Sequence, residues 1–392
     1  MSLHRRLLAA SLILALSACA DMGHIAPQSA MLDANTLQGS QAMDAAASTA
    51  IQWPRAQWWQ DLHDPQLNRL MEQALADSPT LRGAQARVRQ AEALAGAAED
   101  KTRPQADASV SINRELYSQH GSTPAPLAGN YAWRNQATVT ASYDLDLWGR
   151  NRAALSAALG DVQMASAESQ MARLALETAL VRTYIQLSYE FQLQDVIERS
   201  LAQRARILDI TRQRKAAGIG TAIDVAQTET TLPAGRRQLE QSAESLALLR
   251  NQLAALAGKG PAAGAALTRP VLRLDQPLAI PAALPADLIG RRPDIAAQRW
   301  RVEAAAQRID AAKAEFYPNV NLVAFAGFQA FGFSHFLDAN SDIRGISPAL
   351  SLPIFAGARL RAQLGSQTAI YDGAVEQYNA TVINAMSDVA NA

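Results

Sequence analysis

The chain has 392 residues, 36 Lys and Arg against 36 Asp and Glu, 6% aromatic residues and one cysteine. The balanced charge leaves no basic surplus for a nucleic-acid partner, and a single cysteine excludes an intrachain disulfide framework. Few aromatic residues with abundant alanine suit long, closely packed helices better than a β-sandwich.

At the amino terminus, His4, Arg5 and Arg6 precede an apolar run from Leu7 to Leu16. A run of about ten residues is too short to span a bilayer as a helix, and a basic start followed by such a run reads as a secretory signal, residues 1–18. The run ends in Leu16-Ser17-Ala18-Cys19, which resembles the bacterial lipobox. On that resemblance the signal is removed and acyl chains on Cys19 hold an amino-terminal segment, residues 19–60, at a membrane. A lone unmodified cysteine is the alternative. Ala20 follows where an aspartate would favour retention at the inner membrane, so the resemblance implies outer-membrane delivery. Beyond Cys19 no stretch approaches about 18 consecutive apolar residues, so any membrane crossing must be a closed β-barrel.

The next signal is an internal duplication. Ser78-Pro79-Thr80-Leu81 lies over Arg292-Pro293-Asp294-Ile295, and the gapless alignment continues through Arg87-Val88 with Arg301-Val302 and Pro104 with Pro318. In each copy one proline opens an alanine-rich helix at its first position, where a missing N–H costs nothing, and a second proline stops it. Ser78 suits an N-cap. Arg292 does not, since it sits against the helix dipole and requires a tertiary partner.

After each break the period changes to two. Ala108, Val110 and Ile112 alternate with Asp107, Ser109, Ser111 and Asn113, and Val139, Ala141 and Tyr143 alternate with Thr138, Thr140 and Ser142. These predict strands at 105–115 and 134–148, with a turn-rich loop between them. In the second copy the pattern predicts strands at 318–328 and 346–355, the former less cleanly because Val323 and Phe325 fall on its polar side. Such strands suit a barrel with an apolar outer face and a wet inner one, and equally a soluble antiparallel sheet. Four strands cannot close a useful barrel, which needs about eight, so a barrel would take strands from several subunits.

Between the copies lies a proline-free segment from Ala153 to Ala217, with Leu187, Phe191, Ile197, Leu201, Ala205 and Leu208 at three- and four-residue steps. As one helix it would be about 100 Å long. Gly218 and Thr221 read as its C-cap and the N-cap of a return helix bearing Leu239, Ala243, Leu246, Leu249, Leu253 and Leu256. The pair predicts an antiparallel coiled-coil hairpin over 153–257, kinked near Pro233 and Gly235. An ordinary α-helical bundle explains the heptads equally well, but the extreme length argues against it.

Six motifs in one order carry a family resemblance. They are Trp58-Trp59 with Asp64-Pro65-Gln66-Leu67, Leu147-Trp148-Gly149-Arg150, the turn from Ala217 to Val225, Leu288 to Asp294, Tyr317-Pro318, and Phe355 to Arg359. Together they resemble the outer-membrane efflux protein family of TolC, OprM and NodT type, over residues 58 to 392. The resemblance implies a mainly α fold with a transmembrane β part: a first repeat at 61–257, a linker at 258–285 and a second repeat at 286–392. It implies a homotrimer in which four strands per subunit form a twelve-stranded barrel and the helices form a periplasmic tunnel. That channel would dock on a periplasmic adaptor and an inner-membrane pump and conduct drugs or other toxic small molecules passively. On the same resemblance the tip residues Gly218, Ile219, Gly220, Thr221 and Asp224 would meet the adaptor or pump. One departure is that the second copy reaches Ala392 before any second tip, so its hairpin is expected to be largely missing and the chain to be a C-terminally truncated member.

Little else carries chemistry. The five histidines are scattered without an i,i+4 pair, so no metal site is expected. Gly258-Lys259-Gly260-Pro261 lacks the spacing of a phosphate loop, no nucleophile has a recognisable elbow, and neither a cofactor nor an enzymatic activity is assigned. Asp144 and Asp146, on the polar strand face, are candidates to tune ion preference in the lumen or, equally, ordinary lumen-facing solvation. Arg212, Arg214 and Lys215 are candidate partner contacts or a solvated basic helix end. A periplasmic adaptor, a coiled-coil envelope lipoprotein without transport function and an inactive truncated channel remain as alternatives. The adaptor would flank its hairpin with lipoyl-like β halves instead of duplicating a helix-strand unit.

Overall fold

A computed structural model describes residues 21–33, 57–273 and 290–391. The signal peptide, Cys19, and parts of the predicted anchor segment, linker and second repeat lie outside the described residues. Two units divide the rest: residues 57–87 with 168–273, and residues 21–33 with 88–167 and 290–391.

The first unit begins with a short 3-10 helix, Trp58–Leu62, followed by helix α1, Pro65–Asp77. Asp64 caps α1 by accepting from the Gln66 and Leu67 amides, and Pro65 occupies the position where no amide partner is needed. Leu67, Leu70, Met71 and Ala74, at helical spacing, form its buried face. Helix α2, Pro79–Asp100, starts in this unit and continues into the other, whereas the long helix α3, Arg150–Ala216, starts in the other and continues into this one. The remainder of α3 and the return helix α4, Ala222–Leu256, form an antiparallel hairpin.

Contacts pair off outward from the hairpin turn. Arg212 meets Glu229 at 2.7 Å, Arg204 donates to the Thr231 carbonyl at 3.1 Å, and the Ser242 hydroxyl donates to Glu190 at 2.9 Å inside the seam. Pro233 lies within α4 without ending it. The buried seam position is Ser242, whereas the predicted Ala243 is exposed. Leu67, Met71, Leu180, Tyr184, Leu187 and Leu253 are fully buried in one cluster. Each contributes about 1.5–3 kcal/mol by leaving water.

Part of the predicted linker is pinned to this core. Residues 258–273 include a five-residue helix, α5, Pro261–Ala265. Thr268 donates to the Gln66 side chain at 3.0 Å, Val271 to Asp64 at 2.8 Å, and the Arg273 amide to the Leu62 carbonyl at 3.2 Å.

The second unit holds the sheet. Strands β1, Gln105–Leu116, β2, Tyr131–Asp144, β3, Asn319–Phe331, and β4, Asp342–Ser351, form one antiparallel sheet in that order. The helix before β3 is α6, Pro293–Ala314, and the one after β4 is α7, Gly357–Ala390. Both α2 and α6 have 22 residues, as the duplicated proline pairs require.

Arg292 finds the partners its position demands, bonding to Asp294 at 2.8 Å and Asp388 at 3.1 Å. Burial raises the Asp294 carboxyl, but the Arg292 bonds outweigh it and hold the group below the usual range. Three strands move from their predicted bounds by more than one residue, and β3 runs 319–331 instead of 318–328. β2 runs 131–144 instead of 134–148, because Asp146 turns out of the strand at φ 44° and caps α3. β4 runs 342–351 instead of 346–355, ending just before Pro353, which cannot extend a ladder.

Candidate functional site

Register decides the two faces of the sheet, since residues directly opposite share a face. Ala106, Ala141, Ala324 and Ile346 stand in one row, with Ala108, Val139 and Ala326 beside it and Tyr143, Leu322 and Pro348 on its other side. This face is mainly apolar, and Val110, Val139, Ile346 and Leu350 expose more than half their surface, but β4 places Arg344 opposite Ala326 and Asp342 opposite Phe328, and β2 places Asn135 opposite Ala330. The opposite face carries Asp107 with Thr140, Ser109 with Thr138 and Ser111 with Gln136 and Gln329. The Ser109 and Thr138 hydroxyls bond at 3.1 Å. Phe325 and Val323 interrupt this face, and the Phe325 ring lies over Gly345. At each end of the sheet there are aromatic pairs: Tyr117 with Phe331 and Trp133 with Phe333 near the strand-loop end, and Trp148 stacked on Tyr317 near the helix end. Trp133 and Tyr143 bracket a β2 stretch that rises about 25 Å at barrel tilt, close to the height of a lipid-facing apolar band.

The turn from β2 into α3 is built by two carboxylates. Asp144 accepts from the Asp146 amide at 3.0 Å with one oxygen, and from Arg150 at 2.9 Å, Asn151 at 3.2 Å and Asn319 at 3.2 Å with the other. Asp146 accepts from the Asn151 and Arg152 amides, both at 3.0 Å, the unsatisfied donors of the first turn of α3. The Trp148 indole donates to the Pro318 carbonyl at 2.8 Å. A cavity of about 310 Å³ lies here, lined by Asp144, Asp146, Trp148, Arg150 and Asn319 together with Glu315 and Arg359.

Strand parity placed Asp144 correctly on the polar face, opposite Asn321. The side chains of Asp144 and Asp146 are only 18% and 12% exposed, because the junction consumes their lone pairs. Of the partners of Asp144, Arg150 closes the Leu147-Trp148-Gly149-Arg150 motif, whereas Asn151 and Asn319 carry no sequence signal of their own, although Asn319 directly follows the Tyr317-Pro318 motif.

The hairpin turn gathers the other candidate residues. The Ile219 amide donates to the Arg214 carbonyl and the Gly218 amide to the Lys215 carbonyl, both at 3.0 Å, closing α3 in a Schellman arrangement. Gly218 sits at φ 77°, the left-handed conformation this arrangement needs. Thr221 and Asp224 form a capping box at the start of α4, with bonds of 2.8 and 3.1 Å. These bonds, first the Thr221 hydroxyl and then its amide, hold the Asp224 carboxyl below the usual range. Ile219 and Ile223 are left 69% and 67% exposed on this rigid turn. Gly220 packs against the Arg214 and Lys215 backbone. Arg212 pairs with Glu229, and both side chains stay more than half exposed.

Among the described residues no group of three or more His, Cys, Asp or Glu is arranged to hold a metal, and no helix is long and apolar enough to cross a membrane. Comparison with known proteins gives one consistent answer. The family model described as outer membrane efflux protein matches residues 70–259 and 284–392. The fusaric acid resistance protein FusA of Burkholderia cepacia is 44% identical over 369 residues, 92% of this chain and 68% of that protein. The multidrug resistance outer membrane protein MdtP of Escherichia coli is 33% identical over 86% of this chain and 71% of its own length. Among solved structures, the outer membrane protein VceC of Vibrio cholerae superposes with a TM-score of 0.82 at 37% identity, covering 86% of this chain and 80% of that one. The outer-membrane channel OprN gives 0.81 at 26% identity, covering 93% and 80%.

Proposed function

Because the chain belongs to the outer membrane efflux protein family, we propose that it is the outer-membrane channel component of a tripartite efflux pump, conducting toxic small molecules outward without catalysis. The observation that carries this reading is the sheet: one mainly apolar face, one mainly polar face, and edge strands β1 and β4 with no partner among the described residues. In lipid each unsatisfied backbone group costs several kcal/mol, so such edges must close on something. Three copies supply twelve strands, enough for a water-filled barrel whose lumen is lined by the Ser, Thr, Gln and Asn face. Asp144 and Asp146 would sit at the lower rim of that lumen, setting the exit angle of α3 and, through it, ion preference.

The helical hairpin supplies tunnel wall, and its turn, with Gly218, Ile219, Gly220, Thr221 and Asp224, would contact a periplasmic adaptor coupled to an inner-membrane pump. Two exposed isoleucines on a backbone fixed by a Schellman arrangement and a capping box make a preorganised apolar contact. Cys19 would carry the acyl chains that hold the amino terminus in outer-membrane lipid. The relatives named for resistance to fusaric acid and to multiple drugs support drugs and similar toxic molecules as the cargo class, with selection made by the pump.

The test is to express the full chain with its signal, isolate outer membranes, compare unheated with heated gels, and record planar-bilayer conductance. A heat-dissociable trimer with steady conductance supports the reading. A monomer without conductance overturns it.

A further inference from the structure

Residues 21–33 lie along α7, about 340 residues away in sequence, and the contacts follow one stripe of that helix. Arg361 donates to the Asp21 carbonyl at 3.3 Å and to its carboxylate at 3.4 Å. Asp372 accepts the Gln28 and Ser29 amides on a single oxygen, at 2.9 and 3.0 Å. Asn379 accepts the Leu32 amide at 2.8 Å and donates to the Ala30 carbonyl at 3.1 Å. Steps of eleven and then seven residues are close to whole turns, so the three side chains share one face. Met22 and Ile25 pack against the cluster of Ile309, Phe316, Leu360 and Leu364.

The chemistry of these contacts is that of peptide recognition. Asn379 is 8% exposed and spans the carbonyl of one strap residue and the amide two places on, as a neighbouring strand would. Asp372 collects two successive amides. Neither reads a side chain, so the seat recognises an extended backbone, while Met22 and Ile25 set its register through the apolar cluster.

We propose that Asp372 and Asn379 form a backbone-reading seat on α7 whose occupant is this chain's own segment 21–33, a strap that binds the amino-terminal segment to the second repeat. The strap runs parallel to α7, with Asp21 against Arg361 near the start of the helix and Leu32 against Asn379 farther along. On the lipid-anchored reading above, on which this consequence rests, the anchor is then fastened to α7 close to the β4 exit instead of trailing on a free leash.

The experiment is hydrogen–deuterium exchange of the full chain in detergent, read at single-amide resolution. In the wild type the amides of Gln28, Ser29 and Leu32 are protected. Asp372→Ala should speed exchange at Gln28 and Ser29 by about tenfold or more and spare Leu32 in part, and Asn379→Ala should do the reverse. Asp372→Asn, which keeps an acceptor oxygen, should retain protection. If an alanine variant unfolds the unit, sheet amides will also accelerate, and the comparison of Asp372→Asn with wild type then decides. Unprotected strap amides in the wild type, or equal loss at all three amides in each folded variant, would overturn the seat. Cys19→Ser with mass analysis tests acylation separately, since strap protection should survive that substitution whether or not the anchor exists.

Discussion

Asp64→Ala should be among the most damaging single polar substitutions in the helical unit. Asp64 is 3% exposed and accepts four bonds: the Gln66 amide at 2.8 Å, the Leu67 amide at 3.3 Å, the Tyr184 hydroxyl at 2.9 Å and the Val271 amide at 2.8 Å. Alanine removes the α1 cap, which costs about 1 kcal/mol. It also leaves the fully buried Tyr184 hydroxyl without an acceptor, a further 1–3 kcal/mol or so. Val271 is 73% exposed, so water partly replaces the acceptor of its amide and the loss there stays near the low end, about 1 kcal/mol. The sum is roughly 3–5 kcal/mol. Tyr184→Phe removes one donor while the Gln66 amide group keeps the Thr268 carbonyl, so it should cost about 1 kcal/mol.

The assay is native-state hydrogen exchange of the α1 amides in the two single variants and the double variant. Because both single changes break the same bond, the cycle should show a coupling of about 1–2 kcal/mol. Additivity within about 0.5 kcal/mol, or a smaller effect for Asp64→Ala than for Tyr184→Phe, would refute the assignment of Asp64 as the hub.

Three further outcomes are expected. The Asp224 carboxyl is held below its ordinary value of 3.8, chiefly by the Thr221 hydroxyl, so its contribution to the turn is full above that value and is lost as pH falls through the lowered one. Acidification should therefore speed amide exchange at residues 221–225, and Asp224→Asn should remove the pH dependence. Asp146→Ala, which strips the Asn151 and Arg152 amides of their acceptor, should cost about 1–2 kcal/mol, read as faster exchange in the first turn of α3. At Gly160 an added Cβ would meet the Ala304 Cβ at 3.0 Å. Gly160→Leu should lower the melting temperature through an overpacking cost of about 1–3 kcal/mol, while Gly160→Ala stays near neutral because helix propensity offsets the tight contact.

Features set by local chemistry could be read from the sequence. Prolines at a common offset foretold two helices of equal length, heptad steps foretold the hairpin, and period-two alternation foretold four strands and their faces. What could not be read depends on partners far along the chain. Nothing near Ser242 announces that Glu190 will draw it into the seam in place of Ala243. Asp146 fits the strand alternation, but the hydrogen bond from its amide to Asp144 and its carboxylate bonds to Asn151 and Arg152 hold it in a turn. The strap is similarly silent, because Asp372 and Asn379 resemble ordinary polar positions until residues 28–32 arrive beside them.

The duplication explains why the two junctions differ. β2 and β3 are central neighbours, so the copies meet along one ladder, and the Asp144 bond to Asn319 ties the end of the first copy to the start of the second. A single carboxylate network at that seam can therefore orient both copies, and the second exit, from β4 to α7, is spared the same duty. That exit has no aspartate pair, Phe355 stands 98% exposed, and the first turns of α7 instead use Arg361 to receive Asp21 and Gln363 to bond Glu315. Symmetry of sequence is kept where the sheet and its helices need equal lengths. It is relaxed at the edge, where the second exit meets the strap instead of another strand of this chain.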